Sequence, residues 1–364
     1  MRSIPVLRVA GGHREVGEAV GRATASILRR AVAFNDQLPP GRSRDEQLAL
    51  AAGYRAVTHA ATPWLVDEID GAADGAGVDP LALFAASIEE IWTVRPSQAT
   101  AGALVAGRCS DLVAGPPLTA DGHLWVAHNN DLAPASVDEV VGIEWRVPGE
   151  PVVFSLGIGP WISVGWNDAG LSLTGNELAP NDEQVGIPRL LMVREQLTSG
   201  SLAGATAMAL RPDRASSYNT VFAHRDGRVV NVEGSATDAE LTGLDPQGAL
   251  AHTNHYVCER MLRYEGDPAY ARLSAVRYTR ARELLADGPI DGERLRMALA
   301  DHATDPSICR HPGDAVPGNG SGHDTTVTAF WCIADVTAGE IAFGPGNPCQ
   351  PGEQRYSFAG ARPA

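Results

Sequence analysis

Between Gly12 and about Glu90 the apolar positions recur at helical spacing. Val16, Ala19, Val20, Ala23, Ile27 and Val32 approximate a 3.6-residue period, and a second such stretch runs from Asp45 to Ala60. Thr62-Pro63, followed by Asp67 and Glu68, predicts a helix start with Thr62 as N-cap and Pro63 as the first helical residue. That helix should stop between Gly71 and Gly77. Asp79-Pro80 then opens another through LALFAASIEEIW, ending before Arg95-Pro96. The first third of the chain is expected to be mainly helical.

A run of small residues, 97–107 (SQATAGALVAG), follows, and the pattern then changes to short β-rich segments separated by turn residues. Leu124 to Ala127, Gly142 to Val147, Val152 to Leu156, Trp161 to Trp166 and Leu171 to Thr174 read as strands. Asp121-Gly122, Pro148-Gly149 and Asn167 to Gly170 read as the turns between them. Loops this short predict an antiparallel sheet. Helices return at Pro188 to Thr198, Ser201 to Ala209 and Ala269 to Asp287, two strands flank Arg225-Asp226-Gly227, and Thr325 to Ala334 pairs with Glu340 to Phe343 as a hairpin. Segregated helices and strands predict an α+β fold rather than a parallel βαβ sheet. Gly157, Gly159 and Gly165 do not fit GxGxxG and lie among strands, which argues against nucleotide binding there.

Composition narrows the function classes. The 364 residues carry a formal charge of −15, with 11 Arg against 12 acids in residues 1–108 and 18 against 32 in the rest. Such a surface is a poor partner for nucleic acid. All 29 basic residues are Arg. Without Lys, pyridoxal Schiff bases, lysine aldolases and Walker-A nucleotide sites are excluded together; the bias itself reads as codon usage. MRSIPVLRVA is too short and too broken for a secretory segment, and no window approaches 18 apolar residues, so a cytoplasmic protein without membrane association is expected. Five cysteines, Cys109, Cys258, Cys309, Cys332 and Cys349, form no CxxC pair. Neither a disulfide framework nor a thiolate metal site is expected, and one reactive cysteine among buried thiols is.

Four segments carry candidate chemistry. Cys109 stands where the helical third meets the first strand; by residue type it is a buried thiol, but by position it can become a new N-terminus. Its freed α-amine, with an ordinary pKa of about 7.7–8.0, would then be a base for its own thiol. His128-Asn129-Asn130-Asp131 ends the next strand, either as a plain Asn/Asp turn or as a carboxylate placed to hold that amine. His252-Thr253-Asn254-His255 is a weak metal pattern and a better source of an oxyanion donor, Asn254. Ser307-Ile308-Cys309-Arg310 offers Arg310 to a carboxylate, to substrate, or simply to solvent.

In this order the four segments, together with Gly12, Glu15, Gly17 and Gly21 of the leader and the Gly165 to Leu171 turn, resemble the acyltransferase family of N-terminal nucleophile hydrolases, which includes the isopenicillin N acyltransferase and the carcinine (β-alanyl-dopamine) hydrolases. The likeness runs over nearly the whole chain. It implies a four-layer αββα sandwich with a helical leader, 1–108, and a catalytic core, 109–364, separated by autoproteolysis of a zymogen into chains that stay associated. It implies a cysteine amidohydrolase or acyltransferase of secondary metabolism acting on a small amide or thioester, with no cofactor and no metal. By position Cys109 becomes the nucleophile, its amine the general base, Asp131 the residue that orients the amine, and Asn254 the oxyanion donor. Arg310 and Asn176 fall in the substrate shell. Two residues depart from the family pattern: Arg108 stands where precursors usually have Gly, and Asn130 replaces an aromatic inside the NxD motif. Two rivals stay open at this level, an uncleaved papain-like hydrolase pairing Cys109 with His128 or His252, and a non-catalytic scaffold that keeps the fold.

Overall fold

The structure, a computed structural model, describes residues 2–36, 43–92, 108–314, 316–317, 323–324 and 326–358. The small-residue run 97–107, Gly107 included, lies outside the described residues, and the helix expected from Pro80 through Trp92 ends already at Ala86, with Glu89–Trp92 a separate 3₁₀ turn. Among the described residues, five α-helices fill the leader: α1 (His13–Ala23), α2 (Ala25–Asn35), α3 (Arg44–Ala61), α4 (Pro63–Ala76) and α5 (Pro80–Ala86). The single periodic stretch from Val16 to Val32 is thus two helices. They part at Thr24, whose hydroxyl donates back to the Val20 carbonyl at 2.8 Å and competes with the backbone ladder.

Each helix start has its own chemistry. The Gly12 N–H donates to the Glu15 carboxylate at 2.8 Å, Ser43 and Glu46 form a reciprocal capping box, and Asp79 accepts from Ala82 N at 2.8 Å. Thr62 does precede Pro63, but its hydroxyl donates to the Thr58 carbonyl of the preceding helix and caps nothing in α4. Gly77, at φ +67°, ends α4 in the left-handed conformation that glycine adopts without steric cost. The glycines of the leader pattern serve packing. A Cβ on Gly17 or Gly21 would lie 2.1 Å from the Glu68 or Ala72 carbonyl oxygen, and one on Gly71 2.2 Å from that of Arg14, so α1 and α4 cross backbone to backbone.

Eleven strands follow one another to His252: β1 (Val6–Ala10), β2 (Arg108–Ala114), β3 (Trp125–Leu132), β4 (Val140–Arg146), β5 (Val153–Ile158), β6 (Trp161–Asn167), β7 (Leu171–Asn176), β8 (Asn219–His224), β9 (Val229–Gly234), β10 (Ala239–Thr242) and β11 (Ala249–His252). The two-residue β12 (Val316–Pro317) and β13 (His323–Asp324) pair with each other, and β14 (Val327–Asp335), β15 (Glu340–Pro345) and β16 (Gln354–Ser357) complete the set. One sheet runs β1-β4-β5-β6-β7-β8-β9-β10 and the other β11-β2-β3-β14-β15-β16. The pairing is antiparallel as expected, except that β1, unread in the sequence, joins β4 in parallel.

Burial defines four layers. Helix α1, with α6 (Arg189–Gln196) and α7 (Leu202–Ala209), covers the eight-stranded sheet through Val16, Val20, Val193 and Leu197 against Ile143, Trp145 and Phe222. Between the sheets lie Phe154, Val164, Trp166 and Val221 of one face and Val126, Phe330, Cys332 and Phe343 of the other. Helix α8 (Pro268–Ala286) and α9 (Gly292–Leu299) cover the six-stranded sheet through Ala281, Leu285 and Leu295 on Leu112, Ala127 and Trp331. This is the αββα sandwich. The leader enters the same cores, since Leu28, Tyr54, Leu83 and Phe84 share the cluster of Phe154 and Phe330. Among the described residues no helix is long and apolar enough to cross a membrane.

Candidate active site

The period-2 alternation of β2 places Val113 between the sheets and Leu112 under α8 and α9, which directs Cys109 and Asp111 toward the inter-sheet side. The antiparallel register sets Cys109 opposite Asn130, Asp111 opposite His128, and Arg108 opposite Asp131. The hairpin expected between the first two strands therefore brings two of the sequence candidates to one sheet end. Cys109 is buried, and its neighbour at sulfur is Asn130 Nδ2, 3.6 Å away.

The Cys109 backbone is held from both sides. Its N–H donates to Asn254 Oδ1 at 2.8 Å. Its carbonyl accepts from Arg277 Nη1 at 2.8 Å, and the same guanidinium reaches Ser110 Oγ at 3.0 Å, Asn254 Oδ1 at 2.9 Å and the Tyr270 hydroxyl at 3.0 Å. These donors assign the oxygen side of the Asn254 amide; its Nδ2 gives one hydrogen to the Glu177 carbonyl at 3.1 Å. Asp131 accepts from the Thr328 hydroxyl at 2.8 Å, and Thr328 Oγ1 accepts in turn from the Arg310 backbone N–H at 2.9 Å. Arg310 is buried and joins the site through Thr328.

Asn176, which the resemblance assigns to the substrate shell, lies beside the cavity rather than on its wall. Its Oδ1 meets His252 Nδ1 at 3.1 Å and Asn219 Nδ2 at 3.2 Å, whereas its neighbours Gly175 and Glu177 line the small cavity, about 40 Å³, that opens at Cys109. The histidines named for the papain-like rival are engaged elsewhere. His128 spends Nδ1 on Asp111 at 2.8 Å and Nε2 on Asn130, and His252 spends Nε2 on Glu233 at 2.8 Å.

Electrostatics disfavour ionisation of the Cys109 thiol. Burial pushes the Cys109 thiol well above its ordinary pKa, the carboxylates of Asp131, Asp111 and Glu177 reinforce this, and Arg277 opposes it. A carboxylate cluster adjoins the cavity: Glu89 and Glu177 line it, and Arg189 binds Glu89 at 2.7 Å and Glu177 at 3.2 Å. Burial raises Glu90 to about 7 and Glu183 to about 8. Arg108 contributes a second cation, with its guanidinium carbon 3.7 Å from the Tyr270 ring centroid and Nη1 3.4 Å from Glu177 Oε2.

Arg277, Glu177 and Tyr270 escaped the sequence reading. Arg277 was visible in outline, because Ser274, Arg277, Ala281 and Leu285 recur at helical spacing and form the buried stripe of α8, yet an Arg-rich helix gave no reason to single out that one. Glu177 adjoins Asn176 and lacked any pattern.

Residues 118–315, more than half of the chain, match the model of a family described as acyl-coenzyme A:6-aminopenicillanic acid acyl-transferase. The matched segment begins after Cys109 and contains Asp131, Asn176, Asn254 and Arg310. Similar solved structures include the Caenorhabditis elegans ortholog of N-acylethanolamine-hydrolyzing acid amidase, at 15% identity and TM-score 0.41 over 63% of this chain and 93% of that one. A variant of the conjugated bile acid hydrolase from Clostridium perfringens follows at 11% and 0.46 over 69% and 93%, and penicillin V acylase from Agrobacterium tumefaciens at 10% and 0.42 over 69% and 86%. No curated protein matches the sequence significantly.

Proposed function

The chain belongs to the acyl-coenzyme A:6-aminopenicillanic acid acyl-transferase family, and from that premise we propose that it is a cysteine N-terminal nucleophile amidohydrolase or acyltransferase, self-processed before Cys109 and working through an acyl-Cys109 thioester. The observation that carries the reading is the clamp on Cys109, a buried thiol at the head of a strand whose own N–H and C=O are held by Asn254 and Arg277.

In processing, Cys109 Sγ attacks the Arg108 carbonyl carbon, the peptide C–N bond breaks, and the proton of the thiol ends on the freed Cys109 amine. Water then hydrolyses the Arg108 thioester, giving a leader carboxylate and the free thiol. The amine stays on Asn254 Oδ1, next to Asp131 across the ladder, and becomes the base that the buried thiol lacks. In turnover the amine takes the thiol proton, sulfur attacks the substrate carbonyl, and the second Nδ2 hydrogen of Asn254 meets the developing oxyanion. The proton passes to the leaving amine, and water or a second amine resolves the thioester. Leader and core remain together because β1 is a strand of the larger sheet and α2 to α5 share its core.

Arg108 also indicates the acyl group. It is the acyl part of the first thioester formed, and its cation rests on Tyr270 and Glu177. When the leader carboxylate withdraws, the same ring and carboxylate remain at the acyl end of the site, matched to a substrate whose acyl portion carries an amine or guanidine. Asn130 on the cavity wall keeps that end polar.

Intact mass under denaturing conditions tests the reading. Two chains of roughly 11 and 27 kDa, on a scale of about 105 Da per residue, with Cys109 at the new N-terminus are expected, and one 38.3 kDa species in Cys109→Ala. A wild-type chain that hydrolyses amides while remaining whole would overturn self-processing and favour the uncleaved rival.

A further inference from the structure

Four side chains with soft or borderline donors converge at a place the proposed chemistry does not use. His302, Cys309, His311 and Cys349 each bring one donor atom, and all four atoms lie within 4.8 Å of one another. Cys309 Sγ is 3.8 Å from Cys349 Sγ, Cys349 Sγ is 3.4 Å and Cys309 Sγ 3.8 Å from His311 Nε2, and the two Nε2 atoms are 3.0 Å apart. A tetrahedral zinc with bonds of about 2.3 Å to sulfur and about 2.0–2.1 Å to nitrogen separates its ligands by about 3.8 Å (S–S), about 3.5 Å (S–N) and about 3.3 Å (N–N). These four separations fall within a few tenths of an ångström of the ideal values, and the remaining two, from His302 to the sulfurs, are no longer than 4.8 Å.

The surroundings fit as well. Asn347 Nδ2 lies 3.3 Å from Cys309 Sγ and donates to the Arg310 carbonyl at 2.7 Å, which is the outer hydrogen bonding that a metal thiolate receives. Two thiolates balance the charge of a divalent ion. The donors come from three places in the chain, the loop after α9 (His302), the segment Cys309 to His311, and the turn after β15. No CxxC pair announces such a set, and for that reason the sequence reading expected no metal.

The geometry points to a structural Zn²⁺ site of the Cys₂His₂ class, formed by His302, Cys309, His311 and Cys349. Binding converts two thiols to thiolates and releases two protons to solvent, with no change of oxidation state. All four positions are filled by protein, so the ion holds chain and offers no open position for substrate. What it holds is Arg310, flanked on both sides by ligands, whose N–H meets Thr328 and through it Asp131. The site stands whether or not the enzymatic reading does.

The test uses the full chain, freed of metal with a chelator and titrated separately with Zn²⁺ and Co²⁺. One equivalent per chain is expected, with cobalt giving thiolate-to-metal charge transfer and the intense visible bands of tetrahedral coordination. His302 and Cys349 are exposed, so His302→Ala and Cys349→Ser should fold and bind on the order of 10²-fold more weakly, and Asn347→Ala about 10- to 100-fold more weakly. Three results would overturn the site: no stoichiometric metal with all thiols titratable, a Cys309–Cys349 disulfide in freshly isolated protein, or unchanged cobalt spectra in the His302→Ala, Cys349→Ser double variant.

Discussion

Glu183 is a carboxyl that the fold forces to keep its proton. Burial raises it from 4.5 to about 8, Glu90 and Glu89 reinforce the shift, and Arg189 opposes it. A carboxyl raised in the folded state binds its proton more tightly there than in the denatured chain. Its contribution to stability is therefore complete below about pH 4.5 and is lost as pH climbs through the folded value near 8. At about 1.4 kcal/mol per unit the loss is on the order of 4–5 kcal/mol for this one group. Glu183→Gln keeps the shape and the reach to Ser216 but has no proton to lose. Urea unfolding is best run in a Cys109→Ala background, which by the proposed processing keeps the chain whole and defines one transition. Near pH 5 the two proteins should match closely. Near pH 8.5 the Gln variant should be the more stable by several kcal/mol. Parallel stability profiles across that range would refute the reasoning, because they would mean that Glu183 ionises without cost in the folded chain.

In the proposed reaction Asn254→Ala removes both the acceptor of the Cys109 amine and the oxyanion donor, so turnover measured on processed enzyme should fall on the order of 10²- to 10³-fold. Arg277→Met strips a charged donor from the Cys109 carbonyl, Ser110, Asn254 and Tyr270 at once; a loss of about 2–4 kcal/mol in unfolding and slower cleavage on gels are expected. Arg108→Gly should speed cleavage by removing bulk and the Tyr270 and Glu177 contacts at the scissile carbonyl, and equal time courses would show that Arg108 is no brake. Glu177→Gln should raise KM for cationic acyl substrates about tenfold while leaving neutral ones nearly unchanged, and an equal change for both would remove the cation site. Gly71→Ala drives a Cβ into the Arg14 carbonyl and should cost about 1–3 kcal/mol or more.

Local physics made much of this legible in one dimension. Helical periodicity, Pro63 and Pro80 at helix starts, Gly77 as a stop, and the turns at Gly122, Gly149 and Gly227 depend on neighbours a few residues away, and they read correctly because propensity and pattern agree. The order of Cys109, Asp131, Asn254 and Arg310 marked the places where chemistry was worth seeking. What the sequence could not hold was distance. Arg277 and Asn254 are 168 and 145 residues from Cys109, and their convergence depends on how α8 packs over β2. Asn176 and Glu177 are adjacent in the chain, and only the structure separates the one bonded to His252 from the one lining the cavity. His302, Cys309, His311 and Cys349 form a set only after α9, the Arg310 segment and the turn after β15 meet. Backbone-local energies choose the elements, whereas burial of their faces against partners far along the chain chooses which polar side chains are left together.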